Sequence, residues 1–438
     1  MSDPAIVCID TLYVNAAADL IECASRLGLK AAVICPPGAW SCEKPRPARV
    51  VETIDFSLPN LRRILSRLER KLEVRGFYSC FGPFRREGFV LENVAILAAE
   101  RKLAYSPASA LYKATNKYLA REALFEAGVT NVRYALATDE SSLFNATRSV
   151  GYPLVLKPLT GVGSSLILKC HNDREALKNF RLALKELPRA HYAQLRMASH
   201  KFRTLNGRLT HFVPRRSMLV EQYIDGREVS VECLAVGNTV LPLVVHDKIG
   251  MQETRKIVFE HLLIAPPERF TSAELAEIRH YAVEVVRAIG LKNTFCHVEL
   301  RYDKKLGPLL LEVNPRLGAG CIRDSVETFT GLDVILLQLS LVLGKTSVPR
   351  TLSRKRKRYA LAALFSPRSG ILREFSGLRR VYELPEVRVL RVGSNLGDRI
   401  GGDSEEIFLA MIFMEAADST AAWKSYERIK KLVRIRVK

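Results

Sequence analysis

The sequence predicts a mixed α/β protein: an N-terminal open parallel α/β domain, a core with a small mobile lid, and a C-terminal α/β unit. Three observations predict this fold class. Short apolar strands alternate with amphipathic helices over residues 1–108, an order typical of a parallel sheet. Two apolar runs joined by a Gly/Pro loop at residues 294–314 predict an antiparallel hairpin. A strand, a glycine-rich loop and a second strand at residues 152–169 predict a smaller hairpin.

The N-terminal domain, residues 1–108, is predicted to contain three strands and three helices. No Gly-x-Gly-x-x-Gly motif follows its first strand, which argues against a dinucleotide-binding domain. The predicted strands are Ala5–Ile9, Ala31–Cys35 and Gly76–Phe81, and the predicted helices are Asp19–Leu27, Leu61–Leu72 and Gly88–Lys102.

The core is predicted to occupy residues 109–349, with the lid at about residues 149–220, and the C-terminal unit is predicted to occupy residues 350–438. Their periodic segments are long enough to assign several elements directly. These elements are the helices Ala108–Ala127, Ser272–Ile289 and Asp418–Leu432 and the strand Val387–Val392.

A carboxylate, an amide and a guanidinium alternate along the second strand of the larger hairpin, as Glu312, Asn314 and Arg316. Alternation places all three on one face of the strand. Pairing within the hairpin brings Glu299 near Glu312, and two adjacent carboxylates repel unless a proton or metal lies between them. We therefore expect Glu299, Glu312 and Asn314 to bind Mg²⁺, or Mn²⁺ in its place, because these ions prefer oxygen ligands. An internal salt bridge at a strand end is the alternative for this segment.

A second motif has the composition of an anion-binding loop. The strand of the smaller hairpin carries Lys157 and is followed by a glycine- and serine-rich loop, whose backbone N–H groups can approach a phosphate closely. An ordinary hairpin loop is the alternative, and the sequence lacks the Gly-x-x-x-x-Gly-Lys-Ser/Thr motif of a P-loop. The loop residues expected to contact the phosphates are Gly161, Gly163, Ser164 and Ser165.

In their order, these motifs resemble those of the ATP-grasp superfamily, and in particular its carboxylate–amine ligases of the L-amino acid ligase type. The resemblance covers about half the chain. It rests on Thr115–Lys117, Tyr152–Ser165, Met218–Gly226, Glu228–Glu232, Thr294–Glu299 and Leu310–Gly320.

The resemblance implies a role for each matching position. Lys117 and Lys157 would contact the phosphates of ATP, and Glu228 would accept hydrogen bonds from the ribose hydroxyls. Arg316 would stabilise the transferring phosphoryl group and then a tetrahedral oxyanion. The hinge strand that binds adenine through its backbone would comprise Glu221, Gln222, Tyr223 and Ile224.

The chain departs from the family pattern at positions that line the substrate pocket. Asn116 stands where many relatives carry an acidic residue before the lysine. The segment Val245–Lys248 replaces a Glu-Lys pair, and a Gly-His pair is shortened to Phe259–His261. We take His246, Lys248 and His261 as candidate substrate contacts, with a structural role as the alternative for each histidine.

The expected activity is therefore an ATP-dependent ligase that joins a small carboxylate to an amine through an acyl phosphate and releases ADP and phosphate. A biotin-carboxylase-like enzyme, a purine-pathway enzyme and a non-catalytic nucleotide-binding protein are the alternatives. The resemblance also implies a homodimer.

Composition fits a globular protein: 438 residues, 48% hydrophobic, with a net charge of +21. The field of such a charge attracts anions, so nucleic-acid binding is a competing interpretation, although no established nucleic-acid-binding motif is present. The basic segments at residues 188–217 and 354–358 have no assigned role. The absence of an 18-residue apolar run, of a secretory signal and of Cys-x-x-Cys spacing predicts a cytoplasmic protein without a membrane span, disulfide framework or zinc site.

Overall fold

The computed structural model describes most of the chain, and all structural statements below concern that part. The described residues are 2–9, 14–40, 46–79, 84–85, 88–130, 132–161, 166–189, 200–203, 209–254, 257–345, 357–366, 368–402 and 406–438.

The N-terminal domain is an open sheet of four parallel strands in the order β3-β2-β1-β4. This confirms the predicted open parallel architecture, but β3 was not among the three predicted strands. The predicted helix at residues 88–102 begins later than expected, because Gly88–Phe89 forms a short strand first. The elements are β1 (Asp3–Ile9), α1 (Val14–Arg26), β2 (Lys30–Cys35), β3 (Arg49–Glu52), α2 (Leu58–Leu68), β4 (Leu72–Tyr78), β5 (Phe84–Arg85), β6 (Gly88–Phe89) and α3 (Val90–Glu100).

The single helix predicted over residues 108–127 is wrong, because two helices occupy this span: α4 (Ala108–Thr115) and α5 (Lys117–Glu126). Asn116 separates them with extended dihedrals, φ −114° and ψ 107°. Its side-chain oxygen accepts hydrogen bonds from the backbone N–H groups of Tyr118 and Leu119, at 3.1 and 3.3 Å. Asparagine is a favoured N-cap, so its short amide starts a new helix at Lys117 instead of continuing the first.

A second sheet has four antiparallel strands in the order β7-β12-β8-β9 and corresponds to the predicted lid. It includes a strand at Tyr134–Ala137, which lies upstream of the expected lid start at about residue 149. The elements are β7 (Tyr134–Ala137), α6 (Glu140–Val150), β8 (Leu154–Pro158), β9 (Leu168–Cys170), α7 (Asp173–Glu186), a 3₁₀ turn (Leu187–Arg189), the paired strands β10 (His200–Arg203) and β11 (Leu209–Phe212), and β12 (Met218–Gln222).

The largest sheet has eight strands in the order β17-β16-β13-β14-β15-β18-β22-β20. Helix α8 begins at an N-terminal capping box between Thr271 and Glu274 and ends before Gly290, at the predicted bounds. The core elements are β13 (Arg227–Val236), β14 (Thr239–Glu253), β15 (Val258–Ala265), α8 (Ser272–Ile289), β16 (Thr294–Asp303), β17 (Gly307–Asn314), α9 (Ile322–Thr330) and α10 (Val334–Val342).

The C-terminal segment extends this sheet. Strand β18 pairs antiparallel with β15, β22 pairs with β18, and β20 forms the edge. The predicted boundary at residue 350 is therefore not a break in the sheet. The C-terminal elements are β18 (Arg358–Leu364), β19 (Ser369–Ser376), α11 (Leu378–Tyr382), β20 (Val387–Val392), β21 (Arg399–Gly401), β22 (Ala410–Ala416), α12 (Ser419–Leu432) and β23 (Arg434–Val437).

Apolar packing joins the N-terminal domain to the core. Leu339 and Val342 of α10 are buried together with Ile6 and Leu20 of the N-terminal domain. Among the described residues, no single helix has both the length and the apolar composition to cross a bilayer. Helices α9 and α10 meet those criteria only in combination, and the chain bends by 97° between them.

Candidate active site

A cavity of about 940 Å³ lies where the three parts of the chain meet. The core contributes the β16–β17 hairpin and the segment that follows it, including Arg316. The N-terminal domain contributes Tyr78, and the C-terminal segment contributes Arg391 and Glu406. The cavity wall therefore combines carboxylates and guanidinium groups from elements far apart in sequence, as expected of a binding site built between domains.

The hairpin that defines one wall of this cavity is antiparallel, as predicted. Its register places Glu299 opposite Glu312 and His297 opposite Asn314. Glu299, Glu312 and Asn314 all line the cavity, as does Arg316 just beyond the strand end. The Glu312 carboxylate also pairs with Lys117, the first residue of α5, at 3.1 Å.

Lys248 lies beneath Glu299 and is fully buried. Its ammonium group donates hydrogen bonds to Glu228 at 3.0 Å, to Glu299 at 2.8 Å and to Glu260. Burial opposes this charge, but the three carboxylates outweigh burial and hold the pKa of Lys248 well above its usual range. Oxygen atoms of Glu228, Glu260 and Glu299 lie within 4.8 Å of one another, a spacing that a metal could fill. Lys248 binds all three carboxylates, and Arg301 and His297 bind Glu228 and Glu299 in addition, so cations of the protein already occupy this trio.

Two histidines flank a second buried carboxylate, that of Glu232. Burial opposes protonation of His297, but Glu232 at 2.5 Å and Glu299 at 3.3 Å raise its pKa to about 10. Burial lowers the pKa of His246 to about 4; Glu232 at 3.9 Å only partly opposes this effect, and the charges of His297 and Lys248 add to it. The ring hydrogen-bonds to Ser325 at 2.8 Å. At neutral pH, therefore, His297 carries the charge and His246 does not.

Gly318 completes the environment of Glu232. Its backbone N–H donates to Glu232 at 3.1 Å. A Cβ atom at this position would lie 2.8 Å from Nδ1 of His297, closer than real Cβ atoms approach other groups. Glycine is therefore needed for the backbone to reach the carboxylate.

A second charged group lies between the lid sheet and α5. Glu221 of β12 accepts from Arg121 at 2.8 Å through one oxygen and pairs with Lys157 of β8 through the other. Burial raises the pKa of Glu221, but the two cations outweigh it and lower the pKa to about 2. Burial lowers the pKa of Lys157, and Glu221 only partly opposes this effect.

The donor set on the hairpin suits Mg²⁺. Glu299, Glu312 and Asn314 offer only oxygen atoms, share one face of the paired strands and line the cavity. Lys248, which Glu299 shares with two other carboxylates, and Lys117 are the lysines that pair with Glu299 and Glu312 here. A divalent cation would supply positive charge to the same carboxylates, and an anion bound to the cation would pair with the lysines. The residues present therefore fit such an ion.

The structure separates the candidate residues into three groups. The hairpin residues line the cavity, whereas the phosphate lysines and the hinge strand are not part of its wall. Lys117 is connected to the wall through its ion pair with Glu312, and the Glu221 side chain points into the protein. Tyr223 donates its backbone N–H to the carbonyl of Pro153 at 3.0 Å, and Ile224 accepts from Arg301 at 3.2 Å. Gly161 follows β8, whereas Gly163, Ser164 and Ser165 lie outside the described residues. Gln222 ends β12.

Four candidates have surroundings that differ from those expected. Glu228 is buried, and its oxygens accept from Arg301 at 3.0 Å and from Lys248. None of the three candidate substrate contacts, His246, Lys248 and His261, lines the cavity. His261 hydrogen-bonds to Tyr426 and Gln252, both at 2.9 Å, because alternation in β15 turns it away from its neighbour Glu260, which does line the cavity.

Sequence reasoning missed four charged residues of this region: Arg121, Glu232, Glu260 and Arg301. Spacing offered a signal for most of them. Arg121 follows Lys117 by one helical turn, and Arg301 and Glu232 lie at alternate strand positions from Glu299 and Glu228. Glu260 carried no comparable signal, because its neighbour His261 was an equally plausible pocket residue.

Comparison with protein families matches residues 150–324 to the ATP-grasp domain. This chain contains an ATP-grasp domain. The matched span includes β8, the hinge strand and the whole carboxylate hairpin. The N-terminal domain and the strands from β18 onward lie outside it.

Relatives of this ATP-grasp chain extend the comparison. An uncharacterized protein of Sinorhizobium fredii, y4rH, is 26% identical over 355 residues, which cover 78% of this chain and 64% of that protein. Carnosine synthase 1 of Gallus gallus is 30% identical over 173 residues, which cover 37% of this chain and 18% of the synthase. This chain thus spans less than two thirds of the length of either relative.

Among solved structures, L-amino acid ligase from Bacillus licheniformis superposes over all of both chains with a TM-score of 0.76 and 20% identity. At this level of identity the comparison shows a shared fold. Because it covers both chains completely, the fold extends beyond the ATP-grasp domain to the N-terminal domain and the C-terminal segment.

Proposed function

We propose that this protein is an ATP-dependent ligase that joins a carboxylate to an amine through an acyl phosphate and releases ADP and phosphate. One observation carries the proposal: Glu299 and Glu312 lie opposite each other on a cavity-lining hairpin, with Asn314 beside them and Arg316 at the strand end. Such a set could hold Mg²⁺, and the ion together with Arg316 would neutralise part of the charge of a triphosphate.

In the first step, a carboxylate oxygen of the acid substrate attacks the γ-phosphorus of ATP in line. The bond to the bridging oxygen breaks, and ADP leaves with that electron pair. Lys157 and Lys117 would bind the phosphate oxygens and offset their charge. Mg²⁺ held by Glu299, Glu312 and Asn314 would supply further neutralisation of the β- and γ-phosphates.

In the second step, the amine attacks the acyl carbon and phosphate departs. Arg316 would donate to the phosphoryl oxygens and then to the tetrahedral oxyanion. Each such donor lowers the activation free energy by about 3–4 kcal/mol. No nucleophilic side chain is required. Exclusion of water from the cavity would protect the acyl phosphate from hydrolysis.

Amino acids are the substrates we propose first, in part because the similar structure is an L-amino acid ligase and a relative is a carnosine synthase. The cavity supports this choice, since Glu260 and Glu406 line it together with Arg316 and Arg391. Burial and their mutual proximity raise the pKa of both carboxyl groups, that of Glu406 well above its usual range. The guanidinium groups could bind the carboxylate of an amino acid, and the carboxyl oxygens could accept hydrogen bonds from its ammonium group.

A phosphate-release screen with pairs of amino acids and small carboxylic acids tests the proposal. The expected result is phosphate and ADP formation that requires both partners, with the amide product identified by mass spectrometry. Hydroxylamine should replace the amine and trap the acyl phosphate as a hydroxamate. Release that depends on bicarbonate instead would indicate carboxylase chemistry, and ATP binding without hydrolysis under any acceptor would indicate a nucleotide-binding protein.

A further inference from the structure

The buried group formed by Arg121, Lys157 and Glu221 contains two basic side chains and one acidic side chain. The three residues are between 1% and 6% exposed, so water can screen them only weakly. Two cations share one carboxylate, because Oε2 of Glu221 binds Arg121 and Oε1 binds Lys157. Among the described residues, one positive charge of this group is therefore left without a paired carboxylate.

Arg121 has features of a residue placed for this arrangement. Its Nη2 donates to the backbone carbonyl of Leu310 at 2.5 Å, two residues before Glu312 on β17. Its Nη1 has no hydrogen-bond partner among the described residues. A buried polar atom without a partner is costly, which argues against a purely structural role for this guanidinium.

The same contacts connect three parts of the site. Arg121 belongs to α5, whose first residue, Lys117, pairs with Glu312. Through Glu221 it reaches the hinge strand β12 and Lys157 on β8, and through Leu310 it reaches β17. One side chain thus fixes the lid sheet relative to the carboxylate hairpin.

We infer that Arg121 is a positioning residue for nucleotide binding, which occupies half of the Glu221 carboxylate so that Lys157 keeps an unbalanced positive charge for the phosphates. The inference rests on the proposed function, since the anion that completes the charge balance is the triphosphate of ATP. Without Arg121, both oxygens of Glu221 are free to hold Lys157 as a neutral pair.

Removal of both charges in a double variant separates this role from simple packing. Arg121→Met should raise the Kd for ATP with Mg²⁺, in the absence of acid and amine, by about tenfold or more. Arg121→Lys retains the charge and should stay within about threefold of the wild type. Arg121→Met combined with Glu221→Gln frees Lys157 again and should bind ATP more tightly than Arg121→Met alone.

Isothermal titration calorimetry measures these affinities, and Arg101→Met provides the matched control. Arg101 also pairs with a glutamate, Glu69, at 2.6 Å, but in the N-terminal domain, so its loss should leave ATP affinity unchanged. Equal losses for the lysine and methionine variants, or a double variant no tighter than Arg121→Met, would overturn the inference.

Three further outcomes are decisive. If Arg121→Met does not fold, Glu221→Gln provides the test: with two buried cations and no carboxylate, it should gain more thermal stability from ATP than the wild type does, and an equal or smaller gain refutes the inference. A wild-type protein that binds no ATP refutes the proposed function and this inference together. Wild-type binding with unchanged affinity in Arg121→Met refutes only the inference.

Discussion

Glu299 and Glu312 face each other across the β16–β17 hairpin, and each pairs with a lysine from a different element. Glu299 binds Lys248 of β14 at 2.8 Å, and Glu312 binds Lys117 of α5 at 3.1 Å. Lys248 is fully buried, whereas Lys117 keeps some exposure and pairs with a carboxylate that lines the cavity. We therefore propose different roles for the two lysines: Lys248 stabilises the protein interior, and Lys117 exchanges its carboxylate for a phosphate.

Glu312→Gln should reduce amine-dependent ADP release by about 100-fold or more, since an amide neutralises a cation far less well than a carboxylate. The remaining activity should require a higher Mg²⁺ concentration. A coupled ADP assay across an Mg²⁺ titration measures both effects. Glu284→Gln serves as the control, because Glu284 lies on α8 with a partly exposed side chain that pairs with His280. Full turnover in Glu312→Gln at ordinary Mg²⁺ would remove Glu312 from the metal site.

Arg316→Ala should lower kcat by about 10²–10³-fold, because the lost donor acts on charge that develops during the reaction. Its effect on the Kd for ATP should remain within about threefold. Steady-state kinetics combined with calorimetry separate the two quantities. Arg287→Ala, exposed on α8, should change neither. A loss confined to ATP affinity would assign Arg316 to ground-state binding.

Lys248→Met should destabilise the protein by about 3–5 kcal/mol, because three buried carboxylates would lose the cation they share. Adding Glu260→Gln should recover part of this loss by removing one of the repelling charges. Urea unfolding gives the free energies. Lys305→Met, in the exposed hairpin turn, should cost less than about 0.5 kcal/mol. An equally small cost at Lys248 would contradict the role described for it.

His261→Phe should leave turnover within about twofold of the wild type, because the imidazole lies outside the cavity. It should cost about 1–2 kcal/mol of stability through the lost hydrogen bonds to Tyr426 and Gln252. Glu260→Gln, one residue away on the other face of β15, should lower turnover clearly. Steady-state rates and thermal unfolding distinguish the two variants, and a catalytic defect in His261→Phe would return this histidine to the substrate pocket.

Glu221 makes stability sensitive to acid. Its pKa of about 2 lies below the ordinary 4.5, so its ionised form stabilises the native state by on the order of 3 kcal/mol. Because the folded pKa is depressed, this contribution is present above about pH 4.5 and is lost as the pH falls through about 2. The difference in unfolding free energy between the wild type and Glu221→Gln, measured in urea, should shrink over that range. A gap that does not vary with pH would show that the carboxylate charge contributes nothing.

Local patterns were sufficient to predict much of the fold. Alternating apolar strands and helices gave the parallel N-terminal sheet, and the Gly/Pro loop between apolar runs gave the hairpin that pairs Glu299 with Glu312. The cap at Asn116 was missed because helical periodicity continues through it, and only the amide's hydrogen bonds show the break.

The buried charge networks could not be predicted from sequence. Lys248 meets Glu228, Glu260 and Glu299 from three different strands, and those contacts depend on strand order and register across the large sheet. Arg121 and Glu221 are 100 residues apart. A single sequence contains no local signal for such pairs. The prediction of His261 instead of Glu260 as a pocket residue was wrong for this reason, because the direction of each side chain in β15 decides which of them faces the cavity.

The extension of the eight-stranded sheet past residue 350 limits how the chain can be divided. Ending the protein before β18 would leave the hydrogen-bonding groups of β15 along Leu262–Ala265 unpaired and would expose apolar side chains now covered by β22 and α12. It would also remove Arg391, Glu406 and Phe408 from around the cavity. A fragment limited to the matched residues 150–324 would thus have an unpaired, aggregation-prone sheet edge and an incomplete cavity. Biochemical study therefore requires the longer polypeptide.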